Sequence, residues 1–168
     1  MVEVRRERPE DCEAVWQVNR SAFGQSDEAD LVDRLRAQAS PYLAFVAALD
    51  GEVVGHIAFT PVTLHLAQPD LDVRGLAPMA VLPAHQRSGI GTALVEAGLD
   101  ACRRDGADAV VVLGHPEYYP RFGFVPAARF GLESEYDAPP EAFMALELVP
   151  AVLDGISGPA RYHPAFGG

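Results

Sequence analysis

Residues 76–94 read LAPMAVLPAHQRSGIGTAL, and this stretch decides the fold. Its first part, up to Leu82, is apolar and typical of a strand, and Pro83 ends that strand because proline cannot donate to a sheet ladder. From Gly89 to Asp105 apolar residues recur at helical spacing, which predicts a long and largely buried helix. The sequence therefore predicts a strand that runs through a short turn into a helix.

The turn between this strand and this helix has the features of an anion-binding site. A helix N-terminus leaves backbone N–H groups unpaired and carries about half a positive charge. Gly89 and Gly91 allow phosphate oxygens to approach the backbone, because neither carries a side chain. The alternative interpretation is that the two glycines only shape a tight turn. The dinucleotide-binding fingerprint is not matched, because it requires a third glycine where this chain has Leu94.

Two segments resemble the GNAT family of N-acetyltransferases. Residues Gln86-Arg87-Ser88-Gly89-Ile90-Gly91, after a strand and before an apolar helix, resemble the family's Q/R-x-x-G-x-G/A signature. Residues Glu117-Tyr118-Tyr119-Pro120-Arg121-Phe122-Gly123-Phe124 are similar to the short helix that precedes a Gly-Phe pair in the family. The order of predicted elements follows the family along most of the chain, and the resemblance is closest to its YhbS-like branch.

The resemblance implies a fold, a cosubstrate and a reaction. The fold is α+β, with a central mixed, mostly antiparallel sheet that is splayed at the signature strand and has helices on both faces. The cosubstrate is acetyl-CoA, with its pyrophosphate at the turn and its pantetheine arm along the signature strand. The reaction is direct attack by a primary amine of a small molecule or peptide on the acetyl group. The implied cofactor-binding residues are Met79, Ala80, Val81, Gln86, Arg87, Ser88, Gly89, Ile90, Gly91 and Thr92.

The resemblance also implies a general acid. Tyr119 stands four residues before Gly123, where the family has the tyrosine that protonates the departing thiolate. Tyr118 is the alternative donor, and Pro120 departs from the commoner residue types of this helix. Loss of the acid would mark a non-catalytic acyl-CoA-binding or sensing module, which is the alternative function. For the general base the sequence leaves four candidates open, which are His56, His115, Glu117 and water.

The remaining elements follow from periodicity and turn residues. Asp50-Gly51 predicts a tight hairpin, since this pair favours positive φ angles. Neither internal repeats nor a linker are visible, so residues 1–168 are expected to form one domain, with residues 150–168 as a tail that wraps the surface. The predicted helices are Cys12–Phe23, Asp27–Ala39 and Glu117–Phe122, and a turn is predicted at Gln68-Pro69-Asp70. The predicted strands are Val2–Arg5, Tyr42–Leu49, Glu52–Val62, Leu71–Leu82, Ala109–Leu113, Gly123–Ala127 and Ala142–Leu148.

Composition excludes several functions. The formal net charge of −11 makes nucleic acid an unsuitable partner and favours a cationic one. All 13 basic residues are arginine, which rules out a Schiff-base lysine and a Walker-type phosphate loop. Cys12 and Cys102 have no CxxC spacing and are expected to be buried thiols, and no metal site is predicted. No membrane span or signal core is visible, so a cytoplasmic enzyme is expected, with a homodimer as a possible assembly.

Overall fold

A computed structural model describes residues 1–64 and 71–167 of the chain. The predicted turn at Gln68-Pro69-Asp70 lies outside the described residues. The chain divides into two compact units, of which the first comprises Met1–Phe59 and Ala77–Ala101 and the second Thr60–Leu76 and Cys102–Gly168. The prediction of a single domain over residues 1–168 stays a prediction.

The described residues form three α-helices, nine strands and several single turns of 3₁₀ helix. The helices are α1 (Cys12–Phe23), α2 (Asp27–Gln38) and α3 (Ile90–Arg104). The strands are β1 (Val2–Arg6), β2 (Leu43–Leu49), β3 (Glu52–Leu64), β4 (Val73–Val81), β5 (Ala109–Leu113), β6 (Val125–Pro126), β7 (Leu132–Ser134), β8 (Phe143–Glu147) and β9 (Gly158–Arg161). Among the helices so described, none is long and apolar enough to cross a membrane.

The strands of the first unit follow the order β1-β2-β3-β4. Strand β1 pairs antiparallel with β2, and β2 pairs antiparallel with β3. The predicted hairpin between β2 and β3 is confirmed, because Asp50 and Gly51 both have left-handed φ angles of 50° and 84°. Helices α1 and α2 are joined by a hydrogen bond of 3.0 Å from Trp16 Nε1 to Asp30 Oδ1. Val15, Val32 and Val46 form a buried cluster in this unit.

Helix α3 lies very close to β3 because two glycines remove side chains from the contact. A Cβ atom added at Gly55 would lie 3.1 Å from side-chain atoms of both Ile90 and Leu94. A Cβ atom at Gly98 would overlap the ring of Phe59, which is fully buried. These contacts fix the first turn of α3 against β3. They therefore also fix the turn over residues 86–89 that precedes it, which we call the signature turn.

The second unit contains the strand order β4-β5-β8-β6, and β9 pairs with both β3 and β7. The parallel ladder between β4 and β5 joins Val73–Gly75 to Ala109–Val111. Among the described residues this ladder ends there, although β4 continues to Val81.

The end of the chain differs from its prediction. The sequence predicts a tail on the surface from Pro150 onward, but β9 lies within that tail and Leu153 and Ala160 are fully buried. Tyr162 is 7 % exposed. The segment is rich in glycine and proline, which is typical of a surface loop. Its composition therefore does not predict that these apolar side chains are buried.

Two smaller predictions also need correction. The strand expected over Gly123–Ala127 is only two residues long, since Gly123 has a left-handed φ of 100° and Ala127 begins a 3₁₀ turn. Cys102 is buried as predicted, and burial raises the pKa of its thiol to about 11. Cys12, however, is only half-buried.

Candidate active site

A 3₁₀ turn at Pro83–His85 and the signature turn after it connect β4 to α3. Residues 86–89 are exposed, and helix α3 begins directly after them at Ile90. Arg87 and Gly89 have left-handed φ angles of 62° and 86°. The Ser88 hydroxyl donates a 2.5 Å hydrogen bond to the carbonyl of His85, which closes the turn. The sequence prediction of a strand, a turn and a helix is correct in type and in order.

Gln86 joins the two parts of the predicted cofactor site, which are the end of β4 and the signature turn. Its side-chain amide donates a hydrogen bond of 3.0 Å to the backbone carbonyl of Val81, at the end of β4. Ile90, at the other end of the turn, is 5 % exposed and packs toward Gly55. The turn is thus fixed on both sides, while residues 86–89 themselves face solvent.

The turn has the donors and the space that a pyrophosphate group needs. An α-helix leaves the N–H groups of its first turn without an intrahelical acceptor, and in α3 this first turn includes Ile90 and Gly91. A Cβ atom added at Gly89 would meet no heavy atom within 4 Å, so its backbone can be approached closely. Arg87 places an exposed guanidinium side chain in the same turn. The residues present therefore fit a pyrophosphate.

The predicted pantetheine segment is the last part of β4. Ala80 is buried at 3 % exposure, whereas Met79 and Val81 are half-buried. This alternation is that of a strand, in which successive side chains point to opposite faces. The Val81 carbonyl accepts the Gln86 side chain, so one of the predicted backbone groups already has a partner within the protein.

Tyr119 belongs to the second unit, where it begins a 3₁₀ turn that ends at Phe122. Its ring lies on the backbone of Gly114, where an added Cβ would stand 2.5 Å from Tyr119 Cε2. The ring also meets Phe124 edge-to-face, with 5.7 Å between centroids. Tyr119 is 6 % exposed, and burial raises the pKa of its phenol to about 12. The phenol therefore stays protonated at neutral pH, as a general acid must.

Tyr118 differs from its neighbour in environment. The two rings are nearly perpendicular, with an interplanar angle of 84° and 5.1 Å between centroids. The guanidinium carbon of Arg121 lies 4.4 Å from the Tyr118 ring centroid, and Arg121 Nε donates to the Tyr118 carbonyl at 2.9 Å. Because the two rings point in different directions, the two hydroxyls cannot both be aligned to donate a proton to the same departing thiolate.

The candidate bases fall into two groups. His115 and Glu117 are exposed residues of the second unit. His56, the third side-chain candidate, lies inside β3 and is fully buried. Its Nδ1 lies 3.3 Å from Asn19 Nδ2, and its Nε2 lies 3.2 Å from Glu7 Oε1. Burial lowers the pKa of His56, which favours a neutral structural imidazole.

The partners of His56 form a buried polar cluster that sequence reasoning missed. Arg36 Nε donates to Glu7 Oε2 at 2.9 Å, and the Tyr42 hydroxyl donates to Glu7 Oε1 at 2.8 Å. Burial raises the pKa of Glu7, but hydrogen bonds from His56 and Arg36 outweigh it and lower that pKa to about 2. Glu7 is 29, 35 and 49 positions from Arg36, Tyr42 and His56 along the chain, so no local pattern reveals the cluster.

A family model described as "Acetyltransferase (GNAT) domain" matches residues 3–127 of this chain. The match covers more than half of the sequence and includes the signature turn and Tyr119. The chain therefore belongs to the GNAT acetyltransferase family and is an acyltransferase, which confirms the predicted resemblance and the predicted fold.

Particular relatives agree with this assignment. The chain is 37 % identical over 164 residues, or 97 % of both sequences, to "Uncharacterized N-acetyltransferase YhbS" of Escherichia coli strain K12. The crystal structure of YhbS from Escherichia coli in complex with CoA has a TM-score of 0.92 at 35 % identity, covering 99 % of this chain and 92 % of that one. The crystal structure of a GNAT family acetyltransferase from Brucella melitensis, in complex with acetyl-CoA, has a TM-score of 0.80 at 38 % identity. The match covers 99 % of this chain and 98 % of that one.

Proposed function

We propose that this protein transfers an acetyl group from acetyl-CoA to a primary amine of a small molecule or peptide. The observation that carries the proposal is the exposed turn over residues 86–89, whose Gly89 backbone is open to close approach at the start of α3. Relatives that cover nearly the whole chain were crystallised with CoA and with acetyl-CoA, which supports the same cosubstrate here.

The backbone N–H groups of Gly89, Ile90 and Gly91 would hold the pyrophosphate, with Arg87, Ser88 and Thr92 beside them. A site made of main-chain donors needs no lysine, which agrees with a chain that has none. Backbone groups over Met79–Val81 would pair with the pantetheine arm as an added strand. Bound in this way, acetyl-CoA supplies an activated acetyl group as its thioester.

Tyr119 would act as the general acid. In direct transfer the amine nitrogen forms a bond to the acetyl carbon, and the bond from that carbon to sulfur breaks. The leaving thiolate then takes a proton from the Tyr119 phenol. The Tyr119 phenol is protonated before the reaction, as a general acid must be, although burial raises its pKa from 10 to about 12 and so makes it a weaker acid than a free phenol.

The base that accepts the proton of the attacking ammonium would be His115, Glu117 or a water molecule. Both side chains are exposed and lie close in sequence to Tyr119. His56 is less suitable because it is fully buried and its ring nitrogens already face Asn19 and Glu7.

The acceptor is proposed to be cationic, because a net charge of −11 attracts amines and repels nucleic acids. We propose neither nucleic acid nor a membrane as a partner. As the assembly we propose a homodimer.

Two-substrate kinetics test direct transfer. Initial rates are measured while acetyl-CoA and an accepted amine from a panel of primary amines are both varied. Direct attack predicts intersecting reciprocal plots, because both substrates must be bound together. Parallel plots would indicate an acetylated enzyme and overturn direct attack. Tight CoA binding without turnover on any amine would favour the non-catalytic acyl-CoA-binding or sensing module.

A further inference from the structure

The first unit contains a cavity of about 290 Å³ that shares no residue with the signature turn. It lies where β1 leads into α1, and α2 and the start of β2 complete its wall. The residues that line it are Arg6, Glu7, Arg8, Pro9, Cys12, Arg36, Tyr42 and Ala44.

The Glu7 carboxylate in this wall is already saturated by donors of the protein. Arg36 donates to it twice, from Nε to Oε2 at 2.9 Å and from Nη2 to Oε1 at 3.2 Å. Tyr42 donates to Oε1 at 2.8 Å, and His56 Nε2 lies 3.2 Å from the same oxygen. Arg36 Nη1 donates to Asp33 at 2.9 Å. Glu7 and Arg36 therefore cancel each other's charge and leave little hydrogen-bonding capacity for a ligand.

The other charged side chains of the wall are Arg6 and Arg8, and both are exposed. With three arginines against one glutamate, the wall carries a formal charge of +2 in a protein whose net charge is −11. The guanidinium of Arg6 is oriented by the Phe45 ring, whose centroid lies 5.7 Å from its carbon. Guanidinium groups bind carboxylates and phosphates by paired hydrogen bonds, so the wall favours an anionic ligand.

We propose that this cavity binds a small anion with carboxylate or phosphate groups, held by Arg6 and Arg8 at a site separate from the signature turn. Cys12 provides a reporter for this site, because it is a free, half-buried thiol in the cavity wall. An anion in the cavity covers that thiol and slows its alkylation.

Alkylation of Cys12 by N-ethylmaleimide, followed by peptide mass spectrometry, tests the proposal. The protein is saturated with CoA, so that the signature turn is filled, and citrate is added as the probe. Citrate is expected to slow labelling of Cys12, whereas sodium chloride at equal ionic strength is not. Inorganic pyrophosphate in a parallel series shows whether phosphate groups are accepted as well as carboxylates. No slowing by either probe overturns the proposal.

Matched variants assign the effect to the two arginines. The double variant Arg6→Gln with Arg8→Gln is expected to weaken protection by about tenfold for each guanidinium lost. The control is Arg20→Gln, since Arg20 is an exposed arginine of α1 that does not line the cavity. Equal protection in the parent and in the folded double variant would contradict the assignment. If the double variant does not fold, the two single variants provide the same comparison.

Calorimetry separates this site from the proposed function. Citrate is titrated into the CoA-free parent protein and into the same arginine variants. Binding that depends on Arg6 and Arg8 supports the cavity site even if CoA does not bind, which would overturn only the cosubstrate. Absence of heat in the parent overturns the cavity site even if acetyl transfer is observed.

Discussion

The side-chain amide of Gln86 donates a hydrogen bond of 3.0 Å to the backbone carbonyl of Val81. This contact joins the first residue of the signature turn to the last residue of the signature strand. Gln86 therefore positions the turn through the protein's own backbone, although the family resemblance alone presents it as a ligand-binding residue. The contact ties the exposed turn to the end of β4.

Gln86→Ala is expected to weaken acetyl-CoA binding while the fold is retained. A neutral hydrogen bond contributes about 0.5–1.5 kcal/mol, so the loss in affinity should be roughly threefold to tenfold. Calorimetric titration with CoA measures it. Gln25→Ala is the matched control, because Gln25 is an exposed glutamine whose amide donates to Glu28 at 3.1 Å in the turn before α2. An unchanged affinity in Gln86→Ala would show that the contact with Val81 does not support the turn.

Tyr119→Phe is expected to lower kcat for acetyl transfer and to leave CoA affinity nearly unchanged. General acids contribute about 10²–10⁴-fold, and the lower end is expected because a thiolate is only a moderately strong base. Turnover is measured at saturating acetyl-CoA with an accepted amine. Tyr118→Phe is the control, since its ring is nearly perpendicular to that of Tyr119. If Tyr118→Phe is the impaired variant, the role of acid moves to Tyr118; if neither is impaired, tyrosine is not the acid.

Glu7→Gln is expected to lower the free energy of unfolding at pH 7 by about 3 kcal/mol, because His56, Arg36 and Tyr42 lose a buried anion. The pKa of Glu7 is lowered from 4.5 to about 2 in the folded state. The stabilisation is therefore complete above pH 4.5 and is lost as the pH falls toward 2. Denaturant unfolding of parent and variant across this range should give curves that converge in acid. A difference that is constant with pH would contradict an ionised Glu7.

Gly98→Ala is expected to destabilise the protein by about 1–3 kcal/mol, although alanine is normally the better helix former. The added Cβ overlaps the Phe59 ring, which is fully buried and has little room to move. Thermal unfolding measures the effect. The double variant Gly98→Ala with Phe59→Leu should recover part of the loss, and a stabilised Gly98→Ala would contradict the close approach of α3 to β3.

The sequence predicts the regular elements well where one local pattern is enough. Helix α1 and strand β5 have the bounds that periodicity predicts, and the Asp50-Gly51 hairpin follows from two residues that tolerate positive φ. The signature turn is recognisable for the same reason, because its glycines, the preceding strand and the following helix are contiguous.

The missed features depend on contacts between distant residues. The burial of His56 becomes evident only when Glu7 and Asn19 are brought to it by other elements. Likewise, Ala160 and Tyr162 are buried because β9 pairs with β3 and β7, which no pattern within the last segment of the chain indicates. The cavity bounded by Arg6 and Arg8 is assembled from four separate elements and has no motif of its own.

The amount of acetylated amine formed per CoA released tests the central claim most directly. The parent protein is incubated with acetyl-CoA and a mixture of primary amines, and both products are quantified by mass spectrometry and thiol titration. We expect CoA release to require an amine and to equal the acetylated amine formed, one for one. CoA release that is independent of amine, or none at all while CoA binds, would contradict an N-acetyltransferase.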